Sequence, residues 1–179
     1  WRYCLVKLLV GRWDELISRE QRFAAINAAL AIMGDHENEL HVRKEAASAV
    51  GTRLEVMGRR NSDWIKQSRK FQKAVKQYIQ RAVKLFHNKS TSPELKKKLL
   101  VGLRRLERLP KHILYEHKGP GKTRIKDVIV EAFQNFEHHD PSLWPLLVRY
   151  TKELGLAEAE RKNVIQRMNE AKQNGKQQQ

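Results

Sequence analysis

The sequence is 179 residues long and carries 36 basic against 20 acidic side chains, a formal net charge of +16. Its single cysteine, Cys4, excludes an internal disulfide framework, and no run approaches the ~20 apolar residues that a bilayer-crossing helix needs. With 9 Gly, 5 Pro and a 40% hydrophobic share at helical spacing, the composition fits an all-α fold.

Residues 1–17 place Val6, Leu9, Trp13 and Leu16 at steps of three and four, an amphipathic helix. The pattern continues through Phe23, Ile26, Leu30 and Met33, as one helix or as two with a bend near Ser18. Gly34 followed by Asp35 reads as a stop and a new N-cap. Leu40, Ala47, Val50, Leu54 and Met57 mark the next helix, and Gly58 stands where a terminating glycine belongs.

Ser62 is read as the N-cap of a long helix through Phe86. Trp64, Phe71, Val75, Tyr78, Ala82 and Phe86 form its apolar stripe, with Ser68 filling the one gap. Lys66, Lys70, Lys73, Gln77, Gln80 and Lys84 point the other way, flanked by Arg69, Lys76 and Arg81, and no acid occurs between Asp63 and Glu94. Thr91-Ser92-Pro93-Glu94 reads as a capping box on Thr91 opening a helix over 94–109. That helix turns Leu95, Leu99, Leu103, Leu106 and Leu109 inward and Lys96, Lys97, Lys98, Arg104, Arg105 and Arg108 outward. A loop of about six residues makes the pair an antiparallel hairpin.

The charge is concentrated there. Residues 62–123 hold 17 basic and 4 acidic side chains, a balance of +13; residues 1–61 hold 10 and 8, and residues 124–179 hold 9 and 8. A field confined to one third of a chain points to a phosphate-rich or acidic partner rather than to general solubility.

Residues 118–123 (Lys118-Gly119-Pro120-Gly121-Lys122-Thr123) are the clearest loop. It is not a Walker loop, because Glu116 stands where the first glycine belongs and a helix rather than a strand leads in. Lys118, Lys122 and Arg124 fit contact with a phosphate at the following helix start. Thr123 caps a helix bearing Ile125, Val128, Ile129, Ala132, Phe133 and Phe136. Asp140-Pro141-Ser142 opens another with Leu143, Leu147, Tyr150 and Leu154, and Pro145 fits it best if Ser142 is the cap. Gly155 breaks the pattern, a last helix over about 156–171 carries Val164, Ile165 and Met168, and residues 174–179 form a solvated tail. No internal repeat is evident.

His36/His41 and His112/His117 are five apart, off a single helical face, and His138-His139 precede a cap, so no metal site is expected. Trp144, Tyr78, Tyr150, Phe71 and Phe86 sit in phase with apolar stripes and read as core, with Trp1 and Tyr3 as exposed exceptions. No nucleophile–base or paired-carboxylate spacing suggests catalysis, and no cofactor is expected.

Leu99-Leu100 through Leu109-Pro110, then Gly121-Lys122-Thr123, resembles part of the N-terminal helical domain of transcription elongation factor TFIIS, one residue short in spacing. Residues 104–154 are similar in outline to small mitochondrial LYR proteins, without the Leu-Tyr-Arg tripeptide. Residues 1–17 and 71–108 resemble the helical domain of a second-step pre-mRNA splicing factor, without its Trp-Pro loop. Leucine periodicity carries most of each likeness, none covers more than half the chain, and no family is assigned on them.

The expected architecture is a single all-helical domain over residues 1–173, a bundle of six to eight helices. It comprises N-terminal helices (1–61), a central basic antiparallel hairpin (62–111) and C-terminal helices (123–173). The expected function is non-catalytic: an RNA-binding structural or assembly component of a ribonucleoprotein particle, a ribosome or its maturation machinery, inside the cell (mitochondrion, nucleus or nucleolus). It would hold folded RNA by its phosphates and touch neighbouring proteins of a large complex. The alternative is a helical interaction module of the transcription or splicing machinery that docks acidic partner segments.

Overall fold

Ser18 opens the first helix of the computed structural model, which describes Val6 and residues 18–59, 68–109 and 124–177. The Ser18 hydroxyl accepts from the Gln21 N–H at 3.4 Å, and the Gln21 side chain accepts from the Ser18 N–H at 2.8 Å. This capping box satisfies two otherwise orphaned amides and ends any continuous helix from residue 1 at this serine. The described residues form α1 (Arg19–Gly34), α2 (Leu40–Arg59), α3 (Arg69–His87), α4 (Pro93–Leu106), α5 (Ile125–Gln134), α6 (Trp144–Glu153) and α7 (Glu158–Gln177). Two 3-10 turns, Phe136–His138 and Pro141–Leu143, stand between α5 and α6, and no strand occurs among the described residues. The fold is all-α, as the periodicity predicts.

Several boundaries differ from the sequence reading, each for a local reason. Asp35 closes α1 instead of opening α2. Its N–H donates to Ala31 O at 3.1 Å, and its carboxylate accepts from the Glu37 N–H at 3.0 Å. Ser68, read as part of a longer stripe, is the N-cap of α3 and accepts from the Phe71 N–H at 3.4 Å. A serine hydroxyl competes with the backbone inside a helix and serves it at a start; residues 60–67 lie outside the described residues. Ser92, not Thr91, caps α4, accepting from the Leu95 N–H at 3.3 Å. Pro93 occupies the first helical position, where no N–H is required, and Thr91 is buried. Gly58 does not end α2, which runs on to Arg59. A Cβ at Gly58 would collide with Leu109 and approach Phe71 Cζ to 3.2 Å, so this glycine makes room for packing. The last helix continues to Gln177, where a tail was expected.

The chain divides into two compact units, Trp1–Lys122 and Thr123–Gln179, and the division falls in the segment read as the clearest loop. In the first unit α1 packs on α2 and α3, and α2 packs on α3 and α4, with α3 against α4. Tyr78 on α3 and Gly102 on α4 lie equally far from the His87 to Pro93 link and meet, so α3 and α4 are antiparallel. Gly51 meets Tyr78 and Gly58 lies close to Phe71, which makes α2 antiparallel to α3 and parallel to α4. With α1 joined to α2 by five residues (35–39), the described part of this unit is two stacked helical hairpins, α1 beside α3 and α2 beside α4. The match extends to single residues. Ser18 and Ser68 cap corresponding helices, and Arg43 and Lys96 are each the fourth residue of theirs, both buried. Arg43 Nε donates to Met33 O at 3.2 Å, bracing the end of α1.

At the crossing of α2, α3 and α4 the Tyr78 ring is fully buried. Its hydroxyl donates to Ala47 O at 3.1 Å. A Cβ on Gly51 would stand 2.9 Å from both Gly102 Cα and Tyr78 Oη. The two glycines let the α2 and α4 backbones meet directly, with the phenol oxygen seated against both. Burial pushes the Tyr78 phenol well above its ordinary pKa, with the Arg105 charge pulling weakly the other way.

In the second unit Trp144 stands edge-on to Phe136, ring centres 5.0 Å apart, and its indole N–H reaches Phe136 O at 3.2 Å and His139 O at 3.3 Å. Asp140 caps the second 3-10 turn by accepting from the Ser142 N–H at 2.8 Å. Pro145 is therefore the second residue of α6 and breaks no helical bond. Gly155 follows α6 with φ of +72°, a left-handed conformation that suits glycine.

Candidate nucleic-acid interface

The charge pattern of α3 becomes a surface because its buried side is fixed. Phe71, Ala74, Val75, Tyr78, Ala82, Leu85 and Phe86 all face the core. Arg69, Lys70, Lys73, Lys76, Arg81 and Lys84 are all exposed, confined to an arc of roughly 140° at 100° per residue. They run along a helix of about 27 Å at 1.5 Å per residue. No described carboxylate lies within ion-pair distance of any of the six. Exposed His87 and Lys89, which the sequence reading left out, lengthen the row at its far end.

The cations of α4 behave differently. Lys96, expected outward, is buried: it sits on the helix surface between Leu103 and Leu100, both fully covered, which widen the apolar arc around it. Burial lowers its pKa from the ordinary lysine value. Lys97, Lys98, Arg104 and Arg105 are half-buried, and only Arg108 is exposed. Glu55 of α2 collects part of this charge, lying 3.0 Å from Arg59, 3.9 Å from Arg105 and 4.0 Å from Arg108. The Arg105 guanidinium also bonds the Thr52 hydroxyl, and Arg104 is engaged within the molecule. The sequence reading expects two equivalent rows; the structure presents one open row on α3 and one largely occupied row on α4.

Lys66, Lys118 and Lys122 lie outside the described residues. Arg124 belongs to the second unit, where it precedes α5 and pairs with Asp127 at 4.0 Å.

Between α1 and α3 lies a groove of about 440 Å³. Lys70, Lys73 and Arg81 line its α3 side with Gln77, and α1 supplies Phe23, Ala24, Asn27 and Leu30. Among the described residues Glu20 is the one carboxylate lining it. Sequence alone gave no sign of Asn27 or Ala24, since α1 has no charge pattern and the groove exists only once α1 lies beside α3.

Among the described residues no three His, Cys, Asp or Glu side chains are grouped to hold a metal ion, and no helix is long and apolar enough to cross a membrane. No family model, curated protein or solved structure matches the chain.

Proposed function

We propose that the chain is a non-catalytic RNA-binding component of a ribonucleoprotein particle, the ribosome or its maturation machinery, and that it grips RNA phosphates along α3. The observation that supports this is the exposed row Arg69, Lys70, Lys73, Lys76, Arg81 and Lys84, with no described carboxylate beside it. A face serving only solubility mixes both signs, as α7 does with its Glu158–Lys162 pair at 3.0 Å. Unpaired cations along a rigid rod neutralise successive phosphates and release counterions.

The test is retention of structured RNA by the full chain across a salt titration, in parent and in Lys70→Glu/Lys73→Glu. The parent's affinity should fall with salt at a log–log slope near 0.7–0.9 per phosphate contacted. The double variant should lose binding with helicity and melting unchanged, because both lysines are exposed. Normal binding by the variant removes α3 as the contact. A slope near one, with tighter binding of an acidic peptide, replaces RNA by an acidic protein partner.

A further inference from the structure

We propose that the groove between α1 and α3 seats one unstacked nucleotide of single-stranded or bulged RNA, with its flanking phosphates on Lys73 and Arg81; this rests on the RNA reading above. Three features carry it. At about 440 Å³ the groove falls within the roughly 300–1,000 Å³ of small-molecule clefts. Its floor is apolar: Ala24 is exposed, and Phe23 and Leu30 from α1 with Ala74 from α3 stand behind it almost wholly covered, a small face against which a base can rest. Asn27 and Gln77 line it from opposite helices, and neither amide has a hydrogen-bond partner among the described residues. An amide offers both donors and an acceptor, matching the mixed Watson–Crick edge that a base exposes only when unpaired.

The charges bracket that seat. Lys73 and Arg81 are one turn before and one turn after Gln77, about 6 Å along the axis in each direction. A strand passing over the groove would place a phosphate near each as its base turns inward. Glu20 lies near the start of α1, seven residues before Asn27, and leaves three lining cations against one anion among the described residues. A duplex keeps its base edges paired and offers this surface phosphates alone. The Asp and Glu side chains of an acidic peptide offer charge without an aromatic face.

Fluorescence anisotropy of the full chain at one fixed salt concentration tests this, with a labelled single-stranded RNA and a duplex of equal phosphate number. The single strand should bind about tenfold more tightly, and Asn27→Ala/Gln77→Ala should remove about tenfold from the single strand and less than about twofold from the duplex. Ala24→Leu, which fills the exposed floor without altering charge, should reproduce that loss. Equal parental affinity for the two RNAs overturns the proposal, as do variants that weaken both alike or neither. If Lys70→Glu/Lys73→Glu still abolishes both in that case, the phosphate reading stands and only the nucleotide seat falls. If the parent binds neither RNA, the RNA reading itself fails and takes the seat with it.

Discussion

Gly102→Ala sets two opposing effects against each other at one atom. In an exposed helix, alanine in place of glycine stabilises by about 1 kcal/mol. Here the added methyl would overlap the Tyr78 hydroxyl oxygen and lie 2.9 Å from Cζ. Either α4 retreats from α2, or the ring moves and its hydroxyl leaves Ala47 O, now 3.1 Å away. Overpacking of this kind costs roughly 1–3 kcal/mol, and loss of the phenol's hydrogen bond about 1 more. Set against the propensity gain, a net loss of about 1–3 kcal/mol is expected. Urea denaturation followed by circular dichroism measures it, with Tyr78→Phe and the double variant closing a cycle. Tyr78→Phe removes the overlapping oxygen and leaves the Cζ contact, so the glycine substitution should be milder there by about 1 kcal/mol. A Gly102→Ala protein as stable as its parent, or an effect indifferent to the phenol oxygen, would show that the hydroxyl does not press on Gly102.

Glu55→Gln leaves Arg59, Arg105 and Arg108 around an uncharged amide. Thermal melting should show a loss of about 1–2 kcal/mol, since Glu55 is mostly covered while the arginines are part-exposed, and RNA affinity should hold if α3 alone provides the grip. Lys96→Met keeps the aliphatic stem without the charge and should stabilise by about 1 kcal/mol at pH 7. Because burial lowers the folded-state pKa of Lys96, the parent should gain stability as pH rises from that lowered value toward 10.5. The variant should lack that gain, and parallel melting curves between pH 7 and 10 would count against the burial. Trp144→Phe strips the indole donor from the Phe136 and His139 carbonyls and shrinks a buried ring. Calorimetry should show a loss of about 1–3 kcal/mol; no change would mean that the indole bonds are immaterial.

The α3 stripe was legible because seven buried positions recur at helical spacing with cations filling the gaps between them. Phe71, Tyr78 and Phe86 are fully buried as the spacing predicts, and Trp144 and Tyr150 are buried with them. The cap positions turned on local hydrogen bonds, whereas Gly58 and Lys96 were misread because burial around them depends on the packed core. Gly58 looks like a helix end until Leu109 is placed against it. Lys96 looks exposed until Leu100 and Leu103 are both seen to need cover. The correspondence of the two hairpins was hidden because it lies in geometry. Arg43 and Lys96 share a place in the fold but not a residue type, and α1 lacks the run of cations that marks α3. The groove was equally illegible, since it needs α1 and α3 to be parallel neighbours, and they meet only in the folded unit.

Lodging one phenol oxygen against two bare backbones has a consequence for aim. Were α3 free to roll about its own axis, a turn of one residue, about 100°, would sweep its ridge of lysines from open water toward a neighbouring helix. The Tyr78 oxygen acts as a dowel against that roll. The bearing of the charges is thus set from beneath by an uncharged atom sealed inside the protein. Crowding either glycine would re-aim the ridge without altering the identity of a single lysine.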